Sequence, residues 1–219
     1  MQIDIFTIFP KMFESPFDWG TIRIAKSKKI VSINVWDLRN FTNDIHRKVD
    51  DYPYGGSSGM VLKAEPILKA VRSVMTPDAR VVLLTPAGKL YNQSLAQELS
   101  EESHLIFICG RYQGVDERVK DIINMEYPDK TLMELSVGNY VLSGGELACM
   151  SIVESITRLI PGVLKNPESM FADSLGELDP PLYTKPAEVE GVKVPEILTS
   201  GHHTKINQWN STNRKQWTH

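Results

Sequence analysis

Asp173 and Asp179 bracket a polar stretch of this 219-residue chain, and Arg158 lies a short way upstream. A carboxylate there can take a proton, and a nearby guanidinium can stabilise the anion left behind. The same residues also read as turn formers and as a cation favoured at a helix C-terminus. Glycine-bearing loops offer a second kind of chemistry. They are Tyr54-Gly55-Gly56-Ser57-Ser58-Gly59, Cys109-Gly110-Arg111-Tyr112-Gln113-Gly114, Ser136-Val137-Gly138-Asn139-Tyr140 and Ser143-Gly144-Gly145-Glu146. Glycine lets main-chain N–H and C=O groups approach a ligand closely. The crowding of such loops into residues 109–146 favours one ligand site over scattered tight turns. A third kind is cationic and aromatic. Residues 44–54 carry His46, Arg47, Lys48, Tyr52 and Tyr54, and beyond Glu196 there is no acidic residue while Lys205, Trp209, Arg214, Lys215 and Trp217 follow. Cations hold phosphates and rings stack on bases, so both segments suit RNA, although a solvated loop explains the first equally well.

Several chemistries are excluded by what is missing. The chain has no G-x-x-x-x-G-K-S/T phosphate loop and no G-x-G-x-x-G opening a helix after a strand, which disfavours nucleotidases and dinucleotide-binding oxidoreductases. It has no G-x-S-x-G nucleophile elbow and no Cys/His cluster with metal-ligand spacing; His202 and His203 stand apart near the end.

The elements that must position these residues follow from periodicity. Residues 3–9 and 31–36 alternate in the manner of strands, and 80–84 and 104–109 are continuous apolar runs of the kind buried in parallel sheets. Residues 132–137 read as a further strand, and the first Val/Leu run is expected to stop at Thr85-Pro86. Helical spacing marks 64–75, 93–99 and 145–159, the last stopped by Pro161-Gly162. Strands alternating with helices predict an α/β fold with a parallel sheet, whose ligands sit at the carboxyl ends of the strands. Residues 165–186 are proline-rich without apolar periodicity and read as a long functional loop or linker, followed by a small second unit. Charge is balanced at −3, no apolar run approaches the length of a membrane span, and the N-terminus lacks a secretory pattern. Cys109 and Cys149 are too few for a disulfide framework, so a reduced cytoplasmic enzyme is expected.

The stretches YPYGGSSGM (52–60), CGRYQGVDER (109–118), VGNYVLSGGEL (137–147) and RLIPGVL (158–164) together resemble the bacterial tRNA (guanine-N1)-methyltransferases of the TrmD family. The likeness begins at Ile8-Phe9-Pro10-Lys11-Met12-Phe13 and continues through Asp173-Ser174, Asp179, YTKP (183–186), Val194-Pro195 and Ser200-Gly201-His202, so it covers essentially the whole chain in order. It implies a SPOUT fold, a parallel α/β sheet with a deep trefoil knot, here as residues 1–164. A loop over 165–186 would carry the catalytic Asp, and a small helical domain over 187–219 would grip tRNA. The resemblance further implies methyl transfer from S-adenosylmethionine to N1 of guanine 37 of tRNA, in a homodimer with shared active sites. Asp173 matches the general base and Arg158 the arginine that steadies charge on guanine O6. The cofactor loops correspond to Thr85 and Pro86, to Gly110, Tyr112 and Gln113, and to Val137, Gly138, Asn139, Tyr140, Val141, Leu142, Gly144 and Gly145. His46, Asp50, Ser169 and His202 fall on positions for tRNA. Magnesium is implied as well, yet the sequence offers no self-evident metal site.

Departures from the pattern are specific. Gln113 and Asn139 stand where many members carry carboxylates, the 173–179 stretch is two residues short, and the C-terminal domain ends early, at His219. Amide oxygens can still accept hydrogen bonds there. Methylation of a different RNA, and an RNA-binding module without catalysis, remain the rival readings.

Overall fold

Val, Ile, Leu and Phe build five strands that lie parallel in one sheet of order β2-β1-β6-β5-β7. They are β1 (Gln2–Thr7), β2 (Ser32–Asp37), β5 (Ala79–Leu90), β6 (His104–Cys109) and β7 (Met133–Ser136); a small antiparallel ladder joins β3 (Asp50–Asp51) to β4 (Val61–Leu62). This computed structural model describes residues 1–129, 132–164 and 177–216. Every residue of β6 is buried, as a central strand covered on both faces requires. Alternate side chains of one strand serve opposite faces. Leu105 and Phe107 join a core with α1 (Gly20–Ser27), α3 (Gln93–Ser100) and α5 (Glu146–Leu159). Ile106 and Ile108 join another with α2 (Ala64–Val74) and α4 (Arg118–Glu126). No helix among the described residues is long and apolar enough to cross a membrane.

Two strands depart from their expected bounds. β1 ends at Thr7, whose hydroxyl accepts the Phe9 amide at 2.9 Å and turns the chain before Pro10. β5 runs on through Thr85-Pro86 to Leu90, because Leu84 and Lys89 both oppose Leu135 and residues 85–88 bulge out between them. Pro86 lacks an N–H and is tolerated at such a bulge. Gly88 closes it: a Cβ there would sit 2.5 Å from the Leu135 nitrogen.

The chain divides into two compact units, Met1–Lys165 and Asn166–His219. The second contains helices α6 (Glu196–Thr199) and α7 (His203–Asn213), and short antiparallel pairs, Glu177–Leu178 with Lys215–Gln216 and Glu188–Val189 with Val192–Lys193. The rings of Tyr183 and Trp209 meet within it at 6.4 Å.

Candidate active site

A cavity of about 350 Å³ opens beside the bulge of β5 and the carboxyl ends of β6 and β7. Thr85 and Pro86 enter its wall from the β5 bulge, and Gly110, Tyr112 and Gln113 from the turn after β6. Val137, Tyr140, Val141 and Leu142 come from the loop after β7, and Gly144 and Gly145 from the entry to α5. Those sequence-expected residues share one wall. Gly138 and Asn139 belong to the same loop but do not line the cavity. The Tyr140 ring folds back over Gly138, where a Cβ would lie 2.2 Å from a ring carbon.

Backbone bonds hold the loops to one another. The Gly145 amide donates to the Gly110 carbonyl at 2.8 Å, and Arg111 bridges Gly144 in antiparallel fashion. On the other side, the Gln113 amide donates to Met60 O at 3.0 Å and the Leu62 amide to Gly114 O at 3.0 Å. Tyr112 is held in the left-handed region at φ 58°, a conformation that a non-glycine residue keeps only when its surroundings fix it.

The electrostatics beneath and around the cavity come from residues that sequence reasoning did not single out. Glu146 is 1% exposed; it accepts from the Thr7 hydroxyl at 2.7 Å and from Arg111 Nε at 3.1 Å. The Arg111 guanidinium lies 4.5 Å from the Phe9 ring centroid. The charges at Arg111 and Glu146 inside otherwise glycine-rich motifs were the available signal. Glu117 and Glu134 also line the cavity, and Lys120 pairs with both; its contact with Glu134 raises the Lys120 pKa. Cys109, the last residue of β6, is fully buried, and that burial pushes its thiol well up.

The remaining expected residues lie elsewhere. Arg158 is half-buried in the last turn of α5. Asp173 and Ser169 lie outside the described residues. His46 is exposed on a turn built on Asp44, whose carboxylate accepts the His46 amide at 2.8 Å and the Lys48 amide at 3.2 Å. Asp50 pairs with Leu62, and Leu62 in turn bridges Val115 of the cavity wall. His202 precedes α7 in the second unit and is exposed. Among the described residues no group of three or more His, Cys, Asp or Glu side chains gathers to hold a metal ion.

A family model for tRNA (Guanine-1)-methyltransferase TrmD matches residues 1–219. The chain belongs to the TrmD family. A TrmD-family relative from Dictyoglomus turgidum, named tRNA (guanine-N(1)-)-methyltransferase, is 54% identical over 211 residues, 95% of this chain and 83% of the relative. Relatives of the same name from Clostridium kluyveri and Shouchella clausii are each 48% identical, over 212 and 215 residues, covering 95% of this chain and 83% and 84% of their own lengths.

Proposed function

We propose that the protein transfers the methyl group of S-adenosylmethionine to N1 of the guanine at position 37 of tRNA. The observation that carries this reading is the glycine-walled cavity beside the β5 bulge and the carboxyl ends of β6 and β7, in a chain whose relatives are named for N1 of guanine in tRNA. The lining suits S-adenosylmethionine: main-chain groups left open by the Gly110 and Gly144-Gly145 turns would meet its polar edges, and Val137, Leu142 and Ala148 would offer it apolar surface. Glu117 and Glu134 also line the cavity and, with one Lys120 between them, would leave net negative charge toward a cationic sulfonium.

Guanine N1 is a poor nucleophile while it holds its proton. Asp173 removes that proton as general base, and Arg158 steadies the negative charge that spreads to O6. The N1 lone pair then bonds to the methyl carbon as the carbon–sulfur pair returns to sulfur, leaving S-adenosylhomocysteine. His46, Asp50, Ser169 and His202 hold the tRNA. Residues 1–164 are read as a SPOUT domain with a deep trefoil knot, a reading supported by the parallel five-stranded sheet and by membership of the family. Residues 165–186 carry the base, and 187–219 form a small helical domain on the tRNA. Two copies pair and share their sites, and the enzyme works in the cytoplasm. The side chains described do not gather a magnesium site, and no step is routed through that ion.

The test is transfer of labelled methyl from S-adenosylmethionine to tRNA transcripts with guanine or adenine at position 37. Label is expected on the guanine transcript alone, with Asp173→Ala slower by about a hundredfold to ten-thousandfold. Label on both transcripts, or an unchanged rate in the variant, overturns the reading.

A further inference from the structure

The Glu146 carboxylate takes no part in the proposed proton or methyl transfer, yet three separate stretches of chain meet on it. Its Oε1 accepts from Thr7 at the end of β1, and both its oxygens accept from Nε of Arg111 in the turn after β6, at 3.1 and 3.3 Å. Glu146 itself opens α5, where a negative charge also suits the helix dipole. Phe9 completes the arrangement, stacking on Arg111 and donating its amide to the Thr7 oxygen. Gly144 makes room, since a Cβ there would come within 2.2 Å of Arg111 Nε and 2.5 Å of a Glu146 oxygen.

A buried ion pair adds little net stability, because desolvating both charges opposes their attraction, whereas stranding one of them is costly. Its value here is geometric. We infer that Glu146 is a positioning residue: it fixes Arg111, and through Arg111 the 110–114 turn that walls the methyl-donor cavity. The inference rests on the proposed reading of that cavity. It accounts for a sequence pattern in which Thr7, Arg111 and the Gly144-Gly145-Glu146 run are far apart in the chain but interdependent in space.

Glu146→Gln keeps the side chain's size and an acceptor for Thr7 but removes the charge that holds Arg111. The full-length variant is titrated with S-adenosylmethionine by calorimetry, and its amide hydrogen exchange is followed in parallel. Affinity is expected to fall roughly ten- to a hundredfold, the scale of one lost charge-assisted hydrogen bond in the support of the wall. Exchange should quicken at Gln113, Gly114 and Gly145, whose amides bond Met60, Arg111 and Gly110, while buried β6 amides such as that of Phe107 keep their protection. Thr7→Val removes one donor and leaves the ion pair, so the same three amides respond less; it decides the matter if the Gln variant does not fold. Unchanged exchange at those amides in both variants overturns the inference. So does a uniform rise across the sheet with donor affinity intact, which is the signature of general destabilisation. If the unaltered protein binds no S-adenosylmethionine, the reading of the cavity falls, and the exchange measurements alone judge Glu146.

Discussion

At Asp4 four donors converge on one buried carboxylate: Trp36 Nε1 and Gln2 Nε2, each at 2.7 Å, His104 Nε2 at 2.8 Å and Asn34 Nδ2 at 3.1 Å. Burial by itself would raise the Asp4 pKa, but the hydrogen bonds from Trp36, Gln2, His104 and Asn34 outweigh it and hold the group below the usual carboxylate value. The unfolded chain therefore takes up a proton at this site before the folded one does. The contribution of Asp4 is fully present above the ordinary carboxylate pKa and is lost as pH falls through the lower folded value. Urea unfolding at a series of pH values should show Asp4→Asn less stable near neutrality by about 1–3 kcal/mol, with a shallower loss of stability below about pH 4. An acid limb identical to that of the unaltered protein would show that the shift lies elsewhere. Residue types made the glycine loops legible as a ligand site, because glycine's chemistry lies in the absence of a side chain, whereas for Asp173 and Arg158 they allowed a turn former and a helix-end cation equally well. Nothing in the type of Asp4 or Glu146 foretold their partners, since those donors arrive from strands and turns distant in sequence.

Among the elements, β5 departs furthest from its sequence pattern. Thr85-Pro86 read as the end of a strand, but the strand resumes because Lys89 and Leu90 find β7 a second time. The displaced residues become the Thr85-Pro86 wall of the cavity. Gly88→Ala should therefore act on two properties at once. Its methyl would press on the Leu135 backbone, costing about 1–3 kcal/mol and several degrees in Tm. The same movement should weaken S-adenosylmethionine binding in calorimetry, and an Ala variant with both properties unchanged would show that the bulge yields freely. Elements with a clean period were legible: His104–Cys109 matches the expected apolar run, and Ala64–Val74 and Glu146–Leu159 fall within a residue of the expected helices. Gly20–Ser27 and Arg118–Glu126 were not, being short and mixed in character, so that only packing against α5 and α2 reveals their apolar faces.

At the scale of the whole molecule, both cores draw all their residues from the unit Met1–Lys165. A chain cut after Lys165 should fold and bind S-adenosylmethionine within about threefold of the full chain. It should methylate no tRNA, because Asp173 is gone. Binding measured by calorimetry beside a methyl-transfer assay would check both halves, and loss of binding would mean that the cavity needs the second unit. The bond between Thr7 and Glu146 joins positions 139 apart in the chain, and β1 lies between β2 and β6 in the sheet. That span has a consequence for how the protein is made. A ribosome adding about 5–20 residues each second needs on the order of ten seconds to pass from one partner to the other. Throughout that interval Ile3 and Ile5 are already synthesised while the α5 residues that share their core, such as Ile152 and Val153, are not. The nascent chain thus carries a partly covered apolar strand until α5 is made, and its yield depends on whatever shields that strand until then.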